Sequence, residues 1–295
     1  MSYGIPFHLS GKLCHHGPST PRQRTMTKAF LVLSSAGLYL AVATLLWRTF
    51  QHSGARAGSV RTGWLALLAG ALILHAAMLY SELFAGSLNL GLTTAASLIA
   101  WAVSLLFLLA VLYQPVESLG VLILPLAALA LCAEWWWPSR PLALPAASVV
   151  QAAHIVVSLL AYSLLSVAVA QGLVLGLQER ALHRRQSSGF LKSLPPLETM
   201  EILLFRMIGV GFLLLTLTLI SGVFFSEQLF GAPLRWTHHI VLSLIAWGVF
   251  GVLLIGHARY GWRGRLAVRM TIFGFSLLVL GYFGSKFVLE VLLGR

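Results

Sequence analysis

Histidine is the residue whose placement in this chain of 295 residues asks for a chemical explanation. His75 lies inside LILHAAMLYSE, His154 inside AHIVVSLLAYSLL, and the pair His238 and His239 opens the run HHIVLSLIAWGVFGVLLIGHARY, near whose end stands His257. An imidazole titrates near neutral pH and is the commonest metal ligand among side chains. In apolar surroundings it is costly, which leaves metal ligation, proton transfer or a hydrogen bond that locks packing as its reasons to be there. Other chemistries lack their residues. All eight acidic residues are Glu, with Glu82, Glu117, Glu134 and Glu227 at the ends of apolar runs, so neither a paired acid and base nor a hard-cation site can be assembled from aspartates. HExxH, Walker, GxSxG and CxxC patterns are absent. Cys14 and Cys132 have neither the number nor the spacing of a disulfide framework or zinc site, and Cys132 reads as a small core residue. These absences predict a protein that is not an enzyme.

The elements that must position the histidines are long and apolar. With 58% hydrophobic and 9% charged residues, the chain has too little charge to cover a soluble surface. Segments long enough to span hydrocarbon as helices fall at 27–47, 63–84, 92–113, 117–137, 147–178, 200–226, 236–257 and 268–292. The fold class expected is therefore all-α, a polytopic membrane protein of eight transmembrane helices. Pro125 interrupts the fourth segment, where a kink is expected. Residues 1–25, rich in Gly, Pro and polar side chains, read as a disordered tail or an unused upstream start, and residues 26–295 as one transmembrane domain.

The basic residues sit between the apolar segments rather than along one face, which excludes a nucleic-acid partner despite a net charge of +12. Arg48, Arg56, Arg61, Arg180, Arg184, Arg185, Lys192, Arg259, Arg263, Arg265 and Arg269 lie on one side, while Arg140, Arg235, Lys286 and Arg295 lie on the other. That imbalance puts the first set in the cytoplasm and both termini outside. Trp135, Trp136 and Trp137 then lie at the outer headgroups, as interfacial anchors or as an aromatic shelf over a ligand.

On this topology His75 is roughly 18 Å from the cytoplasmic end of the second segment, and His154 is about 10 Å deep from the outer face. The depths match. Two neutral imidazoles facing each other across a bundle hold a haem iron axially; alternatively each hydrogen-bonds a neighbour and fixes helix packing. His257 reaches the cytoplasmic boundary, where a helix C-terminus also favours a histidine.

The stretches LHAAMLYSE, NLGLTTAASLIAW, AHIVVSLLAYSLL, LPPLETMEILLFRMIGVGFLLLTLTLISGVFF, IVLSLIAWGVFGVLLIGHARYGWRGR and YFGSKFVLE, in that order, resemble the cytochrome c assembly family, in particular its HemX/YpjD-like branch. The resemblance implies haem b held or moved within a transmembrane bundle, in a multi-pass protein of the bacterial inner membrane. It implies His154, His75 and His257 as haem contacts, with His154 and His75 as axial ligand candidates. It also implies a tryptophan-rich external segment against the porphyrin. This sequence departs from that segment: Phe225 and Phe230 stand where the family has tryptophans, Trp236 is kept, and Thr237 replaces the aspartate. The family's final external histidine after the eighth helix has no counterpart. The expected role is haem binding and assembly of a cytochrome c-type complex, with membrane lipid, haem, other assembly proteins or a tetrapyrrole enzyme as partners. The alternative is a cofactor-free scaffold or regulator of a tetrapyrrole enzyme or an ion-transport partner that keeps the family fold.

Overall fold

The computed structural model describes residues 21–51, 57–83, 90–138, 148–184, 194–224 and 237–288. Helices are α1 (Pro21–Gln51), α2 (Ala57–Leu83), α3 (Leu92–Tyr113), α4 (Glu117–Trp136), α5 (Val149–His183), α6 (Leu197–Phe224), α7 (His238–Tyr260) and α8 (Gly264–Val279). A π turn, Leu280–Gly284, and one more helical turn, Ser285–Phe287, extend α8. Eight helices among the described residues are long and apolar enough to cross a membrane, and no strand occurs there. In hydrocarbon each backbone N–H and C=O must be satisfied within the segment, and a helix of about 20 residues does this while spanning the bilayer.

Several ends differ from expectation. The first helix begins at Pro21, inside the expected tail, whose residues 1–20 lie outside the described residues. α5 runs on to His183, carrying Glu179 beyond the apolar stretch to within 3.6 Å of Arg265 near the start of α8. α4 continues through Pro125 from Glu117 to Trp136. α8 starts at Gly264, since Glu201 of α6 accepts the Gly264 N–H at 2.7 Å and so satisfies a donor at the new helix end.

The helices form two groups. α1 packs against α2 and α4, and α3 against α4 and α2; α5 packs most extensively against α6, and α8 against α7 and α5. α3 and α4 meet α5 at the seam. Without a hydrophobic drive between helices in lipid, close approach of small residues and buried hydrogen bonds hold such groups together. A Cβ on Gly211 of α6 would lie 2.6 Å from Leu165 Cδ2 of α5, so glycine there sets how closely the pair approaches. Tyr162 at the centre of α5 donates to Leu278 O of α8 at 3.1 Å.

Two ends of the bundle are chemically distinct. Leu90, Trp137, His154, Ser221, His239 and Tyr282 gather at the tryptophan-bearing end, tied by Thr93 to Trp137 O at 2.7 Å and Tyr282 to Leu90 O at 3.3 Å. The opposite, arginine-bearing end holds His257, Arg259, Arg263, Arg265, Glu179 and Glu201.

Candidate functional site: three anchored imidazoles

His75 of α2 is completely buried. Its Nδ1 lies 3.1 Å from the Tyr39 hydroxyl of α1 and its Nε2 lies 2.9 Å from Ser97 Oγ of α3. Tyr39 also meets the ring edge-on, with centroids 5.9 Å apart. In either neutral tautomer one nitrogen donates and the other accepts, so both are used. As the structure stands, His75 spends both nitrogens on hydrogen bonds that tie α1, α2 and α3 together, and its expected pairing with His154 on one iron is not seen.

His154 of α5 is held differently. Its Nδ1 lies 2.7 Å from Ser221 Oγ of α6, and Ser221 donates its only proton to Thr218 O at 3.0 Å. The serine oxygen must then accept, which assigns the proton of His154 to Nδ1 and the lone pair to Nε2. An outer partner that fixes Nδ1–H orients the ring and raises the basicity of Nε2, the usual preparation of a metal-ligating imidazole. Gly222 lies beside the same ring: a Cβ there would stand 3.5 Å from His154 Cε1.

The third imidazole, His257, repeats the device at the arginine-bearing end. Gly261, at φ +66°, ends α7 in the left-handed region that costs an L side chain energy, and the chain turns back there. That reversal brings Trp262 O to 2.9 Å from His257 Nδ1. A carbonyl can only accept, so Nδ1 carries a proton. Phe205 of α6 lies flat against the ring, 3.5 Å between centroids and 13° between planes.

The structure half-buries His239 at the head of α7, 6.0 Å from the Tyr282 ring. His238, one position earlier, is exposed. Sequence spacing carries no signal for the meeting of His239 with Tyr282, because His239 belongs to α7 and Tyr282 to the π turn. Phe225, Phe230 and Trp236, the expected aromatic contacts, lie outside the described residues.

Among the described residues no three His, Cys, Asp or Glu gather as ligands for a metal ion. A bare ion would lack donors, whereas a porphyrin brings four equatorial nitrogens and asks the protein for only one or two axial imidazoles. At the tryptophan-bearing end His154 is the imidazole whose ring is oriented by an outer hydrogen-bond partner.

Together these features define an integral membrane helical bundle that sets single, oriented imidazoles at its two ends. The chain belongs to the cytochrome c assembly family: the family described as Cytochrome C assembly protein matches residues 62–293. Inner membrane protein YpjD of Escherichia coli K12 is 32% identical over 266 residues, covering 89% of this chain and 97% of YpjD. A 28.8 kDa protein in a nifR3-like 5′ region of Azospirillum brasilense is 39% identical over 141 residues, 48% of this chain and 52% of that protein. Cytochrome c biogenesis protein CcsA of Thermosynechococcus vestitus is 35% identical over 94 residues, which is 32% of this chain and 30% of CcsA.

Proposed function

We propose that this protein binds haem b at the tryptophan-bearing end of its bundle and serves the assembly of a cytochrome c-type complex as a binding protein rather than an enzyme. The observation that carries this reading is the relay from His154 Nδ1–H through Ser221 to Thr218 O, which orients the imidazole as the outer partners of metal-ligating histidines do. It is supported by membership of the cytochrome c assembly family and by a relative named as a cytochrome c biogenesis protein. The near full-length similarity to an inner membrane protein, with eight spanning helices, places the chain in the bacterial inner membrane as a multi-pass protein. The arginine-bearing end faces the cytoplasm, both termini face outward, and His257 is a cytoplasmic-side contact.

When bound, the porphyrin iron supplies a redox-active centre that takes axial nitrogen ligands. The chain does the rest. Ser221 and Thr218 keep the proton of His154 on Nδ1 and hold the ring in place, Gly222 leaves its Cε1 edge uncovered by side chain, and Phe205 fixes the plane of His257.

The deciding experiment is optical spectroscopy of the purified protein with and without added haemin. A Soret band that is lost in His154→Ala and kept in His75→Gln is the expected result. A wild-type protein that stays colourless and takes up no haemin overturns the proposal. The second reading, a cofactor-free scaffold acting on a tetrapyrrole enzyme or an ion-transport partner, is favoured by one observation: both nitrogens of His75 hydrogen-bond neighbouring helices. It predicts a partner that co-purifies equally well when His75, His154 and His257 are all replaced.

A further inference from the structure

Where α5, α6 and α8 meet at the arginine-bearing end, the structure holds a cavity of about 510 Å³, a size that takes a small molecule or a lipid headgroup. Neither His154 nor His75 lines it. Spacing of four sets its lining on single helix faces, Leu175, Glu179 and His183 on α5, Leu197 and Glu201 on α6. Buried Leu175 lies about 12 Å deeper along α5 than exposed His183, so the cavity grades from apolar at depth to charged at its mouth. The head of α8 adds two exposed cations, Arg263 and Arg265, and the apolar Leu266.

Two carboxylates converge on that head. Glu201 accepts the Gly264 N–H through Oε1 at 2.7 Å. Glu179 Oε1 stands 3.6 Å from Arg265 Nε, beyond hydrogen-bond range, and its Oε2 is shut off from solvent with no hydrogen-bond partner among the described residues. His183 gives nothing to that oxygen, since its Nδ1 lies 2.8 Å from the backbone carbonyl of Glu179. Gly264 lets the carboxylate come so near. Its φ of +56° disfavours any L side chain, and a Cβ there would stand 3.5 Å from both Glu179 oxygens. A buried carboxylate oxygen without a donor is costly, and a ligand bearing N–H groups relieves it.

The mixed charge narrows the ligand. A purely anionic group would meet two carboxylates here, and a purely cationic one would meet two guanidinium groups. A primary ammonium joined to a phosphodiester satisfies both sets, with N–H donors for the carboxylates and oxygens for the arginines. The ends of membrane-spanning helices lie at the depth of lipid headgroups, and the leucines continue the cavity into apolar surroundings. We propose that this cavity binds the headgroup of an aminophospholipid, its ammonium between Glu179 and Glu201, its phosphodiester at Arg263 and Arg265, and its acyl chains leaving past Leu197 and Leu266. The site is independent of haem.

The test is native mass spectrometry of the purified full chain in detergent, with phosphatidylethanolamine, phosphatidylcholine or phosphatidylglycerol added at equal mole fraction. Wild type is expected to hold one phosphatidylethanolamine in preference to phosphatidylcholine by roughly tenfold, because a quaternary ammonium keeps the phosphate and has no N–H to donate. Glu179→Gln is expected to abolish that preference. Arg263→Gln, at an exposed position where folding is not at stake, is expected to weaken both lipids alike, while Arg206→Gln, exposed on α6 and away from the cavity, matches wild type. Glycerophosphoethanolamine, the same headgroup without chains, is expected to compete poorly. Equal binding of the three lipids, or a preference for phosphatidylglycerol, overturns the proposal. So does a preference for phosphatidylethanolamine that survives Glu179→Gln, or binding undiminished in Arg263→Gln. Displacement of the lipid by an equal concentration of glycerophosphoethanolamine overturns the lipid assignment in favour of a soluble ligand. If Glu179→Gln fails to fold, the Arg263 variant and the comparison of lipids on wild type decide.

Discussion

Ser221 Oγ lies 2.7 Å from His154 Nδ1 although 67 positions separate the two residues, and it passes its own proton on to Thr218 O. Ser221 therefore acts as an acceptor that decides which nitrogen of His154 faces outward from the bond. Removing it is predicted to loosen the ring without unfolding the bundle. Ser221→Ala should weaken haem affinity by roughly ten- to a hundredfold, the usual cost of losing an outer-shell partner, whereas Ser221→Thr should stay near wild type. Haemin titration followed at the Soret band measures both; equal affinity in Ser221→Ala would remove the relay from the argument.

His75 is predicted to matter for stability and not for ligand binding. His75→Ala removes the histidine partner of buried Ser97 Oγ and one of the partners of the Tyr39 hydroxyl, which keeps Ser104, at about 1–3 kcal/mol for a buried group left unsatisfied. Thermal unfolding in detergent should show a lowered midpoint, with the haem spectrum of the surviving folded protein unchanged. A lost spectrum at unaltered midpoint would return His75 to the ligand set.

Packing of α5 against α6 should tolerate little growth at Gly211. A Cβ there meets Leu165 at 2.6 Å, and overfilling a packed interface costs about 1–3 kcal/mol. Gly211→Val is expected to lower the unfolding midpoint, while Gly209→Ala, where an added Cβ meets nothing within 4 Å, should stay close to wild type. Equal midpoints for the two variants would contradict the packing described.

At the arginine-bearing end, two polar contacts should differ in weight. Arg265 and Glu179 stand 3.6 Å apart with the arginine about half exposed, a pair worth about 0–1 kcal/mol. Glu201 instead accepts the Gly264 N–H at 2.7 Å at the start of α8. Replacing a helix-end acceptor typically costs about 0.5–2 kcal/mol. Glu201→Ala should therefore lower the unfolding midpoint more than Arg265→Ala, and the reverse order would refute the assignment.

Topology can be tested by labelling. In a background with Cys14 and Cys132 replaced by Ser, a membrane-impermeant maleimide should label Ser139→Cys in intact spheroplasts and Ser187→Cys only after lysis. The opposite pattern would invert the proposed orientation of the arginine-bearing end.

The eight helices were legible in the sequence because bilayer thickness sets their length and the apolar runs report it directly; α3 falls at 92–113 as expected, and α4 and α6 end within two residues of expectation. Their limits slipped where polar residues continue a helix past the hydrocarbon, as in the last turn of α5. The histidines themselves were equally visible, since an imidazole in an apolar run stands out. What each does was decided by tertiary structure. Tyr39 and Ser97 close both nitrogens of His75 from 36 and 22 positions away, and Ser221 accepts the Nδ1–H of His154 from 67. His239 meets Tyr282 through a π turn that no periodicity announces. A one-dimensional pattern reports how deep a residue lies along its own helix. Which way its ring faces, and which neighbour takes its proton, depend on how the helices rotate against one another, and that is settled only when they pack.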